Sequence, residues 1–121
     1  MPAGNQQLLE LELALANIVS NAVKYSSNQP VSMALAATDT RNIIIVKDRG
    51  IGIPPEDLPY IFSPFFRASN TERFEGYGIG LPLTNNIIRM HKGEISVSSR
   101  MNEGTEIKVV LPSSAREQGR R

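Results

Sequence analysis

The 121-residue chain contains no cysteine and a single histidine. Without thiols it can build no disulfide framework, zinc-thiolate site or thiol nucleophile, which fits a reducing compartment. Long hydrophobic runs are missing too. The longest apolar stretches fall well short of a membrane span, and Met1-Pro2-Ala3-Gly4 lacks the charged and apolar regions of a signal peptide. A soluble, cytoplasmic unit with no direct membrane contact is expected. Nor does one sign of charge dominate: 13 basic residues face 12 acidic ones, for a net charge of +1. Such a balance gives no field that would recruit nucleic acid. What the chain does have is 40% hydrophobic residues, enough for one core. One domain is expected over residues 1–112, with the polar segment 113–121 as a disordered tail.

Apolar residues from Gln6 to about Tyr25, among them Leu11, Leu15, Ile18 and Ala22, predict a long, mostly buried helix with Asn5 as its N-cap. Val31 to Leu35 alternates as a half-buried strand, and Ile43-Ile44-Ile45-Val46 reads as a buried one, the two forming an antiparallel hairpin. Four prolines between Pro54 and Pro64 leave residues 54–77 mostly a long loop, with one helical turn at Pro55-Glu56-Asp57-Leu58. A second helix is expected from Gly80 to His91, with Leu83, Ile87, Ile88 and Met90 as its apolar positions and Lys92-Gly93 ending it. Glu94–Ser98 and Thr105–Leu111 then form a second hairpin about a turn at 101–104. Two helices and four strands predict an α+β two-layer sandwich, a mixed sheet covered on one face by helices.

Three groups of residues could carry chemistry. Asp48 follows the buried strand and is flanked by Gly50 and Gly52, so a flat ligand could lie on bare backbone while the carboxylate accepts a hydrogen bond from its edge. Asn17, Asn21 and Lys24 are spaced to share one helix face, with Tyr25 beside them. Amide oxygens suit Mg²⁺ and Lys24 suits a phosphate, although two asparagines bonding within a core and a solvated lysine would look the same. Glu75-Gly76-Tyr77-Gly78-Ile79-Gly80-Leu81 is a glycine-rich turn opening a helix, which is either an anion site or a flexible linker. It lacks the Gly-Lys-Ser/Thr ending of a P-loop, and no strand precedes it as in a dinucleotide-binding turn.

Taken together these segments resemble the catalytic, ATP-binding domain of bacterial sensor histidine kinases, within the superfamily that includes gyrase, Hsp90 and MutL. Asn17-Ile18-Val19-Ser20-Asn21-Ala22-Val23-Lys24-Tyr25 is similar to the N box, and Asp48 to Pro54 to the first glycine box. Ile61-Phe62-Ser63-Pro64-Phe65-Phe66-Arg67 resembles the F box, Gly76 to Leu81 the second glycine box, and Gly104-Thr105 the last. The resemblance implies a Bergerat-type ATP-binding fold. The family's usual N-terminal helix and strands have no counterpart here, so an N-terminally truncated domain is expected.

The resemblance also implies roles. Asp48 would accept a hydrogen bond from the adenine amine, with Gly50, Gly52 and Ile53 forming the turn the base approaches and Thr105 supporting Asp48 or a water beside it. Asn21 would hold Mg²⁺, with Asn17 a near neighbour. Lys24 and Arg67 would neutralise phosphate charge, and Tyr25 would pack near the sugar and phosphates. Amides around Gly76, Gly78, Gly80 and Leu81 would hold the phosphate chain, and residues 54–77 would be a lid. Phe62, Phe65 and Phe66 would dock partner helices, or form a small core beneath the loop. ATP and Mg²⁺ are the implied cofactors. The implied partners are a phosphoacceptor helical domain of the same or a sister kinase chain and, downstream, a response regulator, the parent protein being anchored in the inner membrane in many such kinases. Hydrolysing relatives carry Glu at position 17 to activate water, whereas Asn cannot act as a general base. Asn17 therefore favours phosphotransfer to a histidine, already a nucleophile near neutral pH, over hydrolysis. His91 is expected to be structural. The alternatives are a nucleotide-sensing module without phosphotransfer, or a superfamily ATPase or serine kinase.

Overall fold

The computed structural model describes residues 2–26, 28–63 and 80–113. Helix α1 spans Pro2–Lys24. Strands β1 (Ser32–Ala37) and β2 (Arg41–Lys47) follow, then a 3₁₀ helix at Pro55–Tyr60. Helix α2 (Gly80–Met90) leads into β3 (Glu94–Arg100) and β4 (Gly104–Pro112). The helix begins four residues earlier than the sequence indicates, so Asn5 lies inside α1 and does not cap it. A proline at the first helical position is the reason: its fixed φ suits a helix start, and the amide it lacks is one that a helix leaves free.

The sheet order is β1-β2-β4-β3. Strands β2 and β3 run in the same direction, as a helical crossover between them requires, but β4 is inserted between them. Every described pairing is therefore antiparallel, which corrects the expected mixed sheet in that respect. Both hairpins form as expected. At the first turn Thr38 Oγ1 accepts the Arg41 amide at 3.0 Å.

Two apolar rows cross the sheet. Val97, Ile107, Val46 and Met33 are partners in one, and Ile95, Val109, Ile44 and Leu35 in the other. Ala14, Ile18 and Ala22 of α1 and Leu81, Ile87 and Ile88 of α2 form one buried cluster with Ile44, Val46, Ile107 and Val109. The helices do not reach over β1, so Leu35 at the end of its row is 74% exposed. The half-buried strand expected there is exposed along its whole length. Likewise α1 is buried on one face only: Leu9, Leu13 and Val23 are exposed on a second apolar stripe, against the expectation of a mostly buried helix. On α2 the buried positions are Leu81, Pro82, Thr84, Ile87 and Ile88, while Leu83 and Met90 face outward.

The helical layer is tied at its far end by His91, whose Nε2 lies 3.2 Å from Glu10 Oε1 on α1. The end of α2 is closed by the Gly93 amide donating to the Ile88 carbonyl and the Lys92 amide to the Arg89 carbonyl, each at 2.9 Å. That pairing requires Lys92 to adopt a left-handed conformation, with φ of 65°.

Candidate functional site

Between the C-terminal half of α1 and the ends of β2 and β4 lies a cavity of about 450 Å³ including its mouth. Ala22, Val46, Ile53, Leu81 and Ile107 give it apolar walls; Asp48, Asn21, Tyr25 and Thr105 are its polar members.

Asp48 follows directly on β2, and two backbone bonds extend the β2–β4 ladder to it. Its amide donates to the Thr105 carbonyl at 2.9 Å, and the Thr105 amide donates to the Asp48 carbonyl at 3.3 Å. The side chain is buried, 6% exposed, and Oδ1 accepts the Gly50 amide at 2.8 Å. Burial raises the carboxyl pKa above its ordinary value of 3.8, and backbone hydrogen bonds from Gly50 and Thr105 pull the other way. A carboxylate held at a desolvation cost in an apolar pocket accepts strongly from any donor that enters.

The loop after Asp48 is gripped from two sides. On one side Gly50 abuts the Tyr25 carbonyl so closely that a Cβ would overlap it, and the Ile51 amide donates to that same carbonyl at 3.2 Å. On the other, Gly52 (φ 77°) presses against the backbone of Arg100, and the Asn102 amide donates to the Ile51 carbonyl at 2.9 Å. The Ile53 amide donates to Ser99 Oγ at 2.8 Å. The glycines here serve chain-to-chain packing as much as ligand approach: Gly52 lines the cavity, whereas Gly50 lies behind it and holds Asp48.

Of the residues singled out in the sequence, Asn21, Tyr25, Asp48, Gly52, Ile53, Leu81 and Thr105 are brought together at this cavity. Gly80 is the first residue of α2, next to Leu81. Asn17 is half-buried one turn before Asn21 and outside the lining, and exposed Lys24 has its Nζ 6.0 Å from the centroid of the Tyr25 ring. Arg67, Gly76, Gly78, Phe65 and Phe66 lie outside the described residues, as does most of the expected lid and all of 114–121. The first part of that segment is anchored: Ile61 is buried and Phe62 packs against the main core. Sequence reasoning missed Ser99. The signal was available, since a hairpin turning at 101–104 makes Ser99 and Thr105 cross-strand partners.

Among the described residues no group of three or more His, Asp or Glu side chains could hold a metal ion, and no helix is long and apolar enough to cross a membrane. The neutral amide of Asn21 fits a cation that takes its remaining ligands from phosphates and water.

A two-layer fold with a buried acceptor under an apolar, helix-walled cavity suits a flat ligand whose edge donates a hydrogen bond. The family described as "Histidine kinase-, DNA gyrase B-, and HSP90-like ATPase" matches residues 6–115, and the chain belongs to it. The sensor histidine kinase YclK of Bacillus subtilis is 33% identical over 107 residues, covering 86% of this chain and 23% of its own length. Among solved structures, the mycobacterial sensor histidine kinase MprB superposes with a TM-score of 0.75 at 29% identity, over 83% of this chain and 70% of that one. Full-length ShkA in complex with AMPPNP superposes with a TM-score of 0.72 at 26% identity, over 85% of this chain and 21% of that one. Within the family, then, this is a histidine kinase catalytic ATP-binding domain. The chain spans less than a third of the length of curated relatives such as YclK.

Proposed function

We propose that the domain binds Mg²⁺-ATP and donates the γ-phosphate to a histidine on a helical phosphoacceptor domain of the same or a sister kinase chain, from which a response regulator receives it. The observation that carries this reading is the buried Asp48, positioned by Gly50 and Thr105 at an apolar cavity in a chain of this family. Asp48 accepts from the adenine amine, and Gly52, Ile53 and Leu81 wall the base. Asn21 would supply one ligand to Mg²⁺ with Asn17 a near neighbour, Tyr25 would pack near the sugar and phosphates, and Lys24 and Arg67 would neutralise phosphate charge. Amides around Gly76, Gly78, Gly80 and Leu81 would hold the phosphate chain, and the part of 54–77 beyond the anchored Phe62 would close over it as a lid. The AMPPNP in the ShkA complex supports an adenine nucleotide as ligand.

In the transfer, an imidazole nitrogen forms a bond to the γ-phosphorus as the bond to the β–γ bridging oxygen breaks. ADP leaves with the bonding pair, and the imidazole proton passes to solvent. This chain's part is positioning and charge neutralisation. Asn17, lacking a basic carboxylate, leaves water unactivated. The test is phosphorylation in trans. The domain, Mg²⁺ and γ-labelled ATP are mixed with a phosphoacceptor domain of a sensor histidine kinase. Acid-labile label on the acceptor is expected, with negligible turnover when the acceptor is omitted. Steady phosphate release by the domain alone would place it among the hydrolases.

A further inference from the structure

We propose that Ser99 is a positioning residue of the base pocket. It fixes the hydroxyl proton of Thr105 away from the cavity, so that Asp48 and Thr105 both face the ligand as acceptors. This deepens the ATP-binding reading and rests on it.

The inference comes from counting protons. Ser99 sits on β3, half-buried, and its hydroxyl has three polar neighbours. The Ile53 amide lies at 2.8 Å, the Gly104 carbonyl at 3.0 Å and Thr105 Oγ1 at 2.9 Å. A hydroxyl has one proton and two lone pairs. The Ile53 amide can only donate, so it occupies one lone pair. The Gly104 carbonyl can only accept, and we assign the Ser99 proton to it. What Ser99 has left is a lone pair, and the Thr105 hydroxyl must therefore be the donor between the two.

With its proton committed to Ser99, Thr105 retains only lone pairs for the cavity it lines beside Asp48. A ligand edge that donates, such as an amine on a six-membered ring, satisfies that wall. One bearing a carbonyl at the same place meets acceptors only and leaves buried oxygens facing each other. Without Ser99 the Thr105 hydroxyl is free to rotate and donate into the cavity, which removes part of the selection. Ser99 itself is not among the cavity-lining residues, so it acts through Thr105 and touches no ligand.

The experiment compares ATP with inosine triphosphate, which carries a carbonyl where ATP carries the amine. Binding of each with Mg²⁺ is measured by calorimetry for the natural chain, Ser99→Ala, Ser99→Thr, Thr105→Val and the double variant Ser99→Ala/Thr105→Val. The natural chain should prefer ATP. In Ser99→Ala that preference should fall about tenfold, the scale of one hydrogen bond, and Ser99→Thr should restore it. Thr105→Val should lower it to a similar degree, and adding Ser99→Ala to Thr105→Val should change it no further. Loss of overall affinity with the ATP to inosine triphosphate ratio intact would show that Ser99 is only structural and overturn the proposal. So would an unchanged ratio in Thr105→Val, which decides the matter even if Ser99→Ala does not fold. Failure of the natural chain to bind ATP would instead remove the reading on which the inference stands.

Discussion

At Asp48 a single carboxyl group ties function to a cost in stability. Its pKa is raised in the folded chain, chiefly by burial, so the folded state holds the proton more tightly than the unfolded one. The folded state is thus favoured where the group is protonated. Stability falls as pH rises from the unfolded value near 3.8 through the raised folded value, and the loss persists above it. Asp48→Asn keeps an oxygen for the Gly50 amide and has no charge to bury. The variant should lack this component of the pH dependence and resist urea at least as well as the natural chain at neutral pH, while binding ATP less well. Urea midpoints of both proteins across the acid range check this. A natural chain that gains stability relative to Asp48→Asn as pH rises would contradict the assigned cause.

Among the elements, α2 carries a local strain where it is closed. Lys92 occupies the left-handed position that closes the helix, a conformation that costs a residue with a Cβ about 1–2 kcal/mol. Glycine there loses more backbone entropy on folding, by roughly 0.5–1 kcal/mol. Lys92→Gly should therefore stabilise the domain by on the order of 0.5–1 kcal/mol, read as a higher urea midpoint with an unchanged slope. The elements themselves were largely legible, because helix and strand periods are written into residues 8–25, 43–46, 80–91 and 94–111. Burial was less so. Whether Leu35 or Leu9 is covered depends on which neighbours lie over it, and no local pattern reports that. The same limit hid the second duty of Gly50, whose contact is with a carbonyl 25 residues away, and the bond from Ile53 to Ser99 across 46 residues. Asp48 was legible from a strand-end carboxylate flanked by glycines, whereas Asn21 and Thr105 gained their meaning only through the resemblance of their segments to the family's boxes.

For the whole molecule, the residues proposed to read adenine lie within the described fold. The proposed phosphate end rests on Lys24 and on Arg67 and the glycines at 76 and 78, which lie outside the described residues. A net charge of +1 offers no general attraction for a triphosphate, so in the proposed reading local cations, amides and Mg²⁺ would do the neutralising. The central claim is that ATP is read by Asp48, and titration with a non-hydrolysable ATP analogue and Mg²⁺ tests it most directly. The natural chain should bind, and Asp48→Asn should bind with a loss on the order of 1.5–3 kcal/mol, roughly tenfold to 150-fold in Kd. Equal affinity in the two proteins, or no binding in the natural one, would contradict the account.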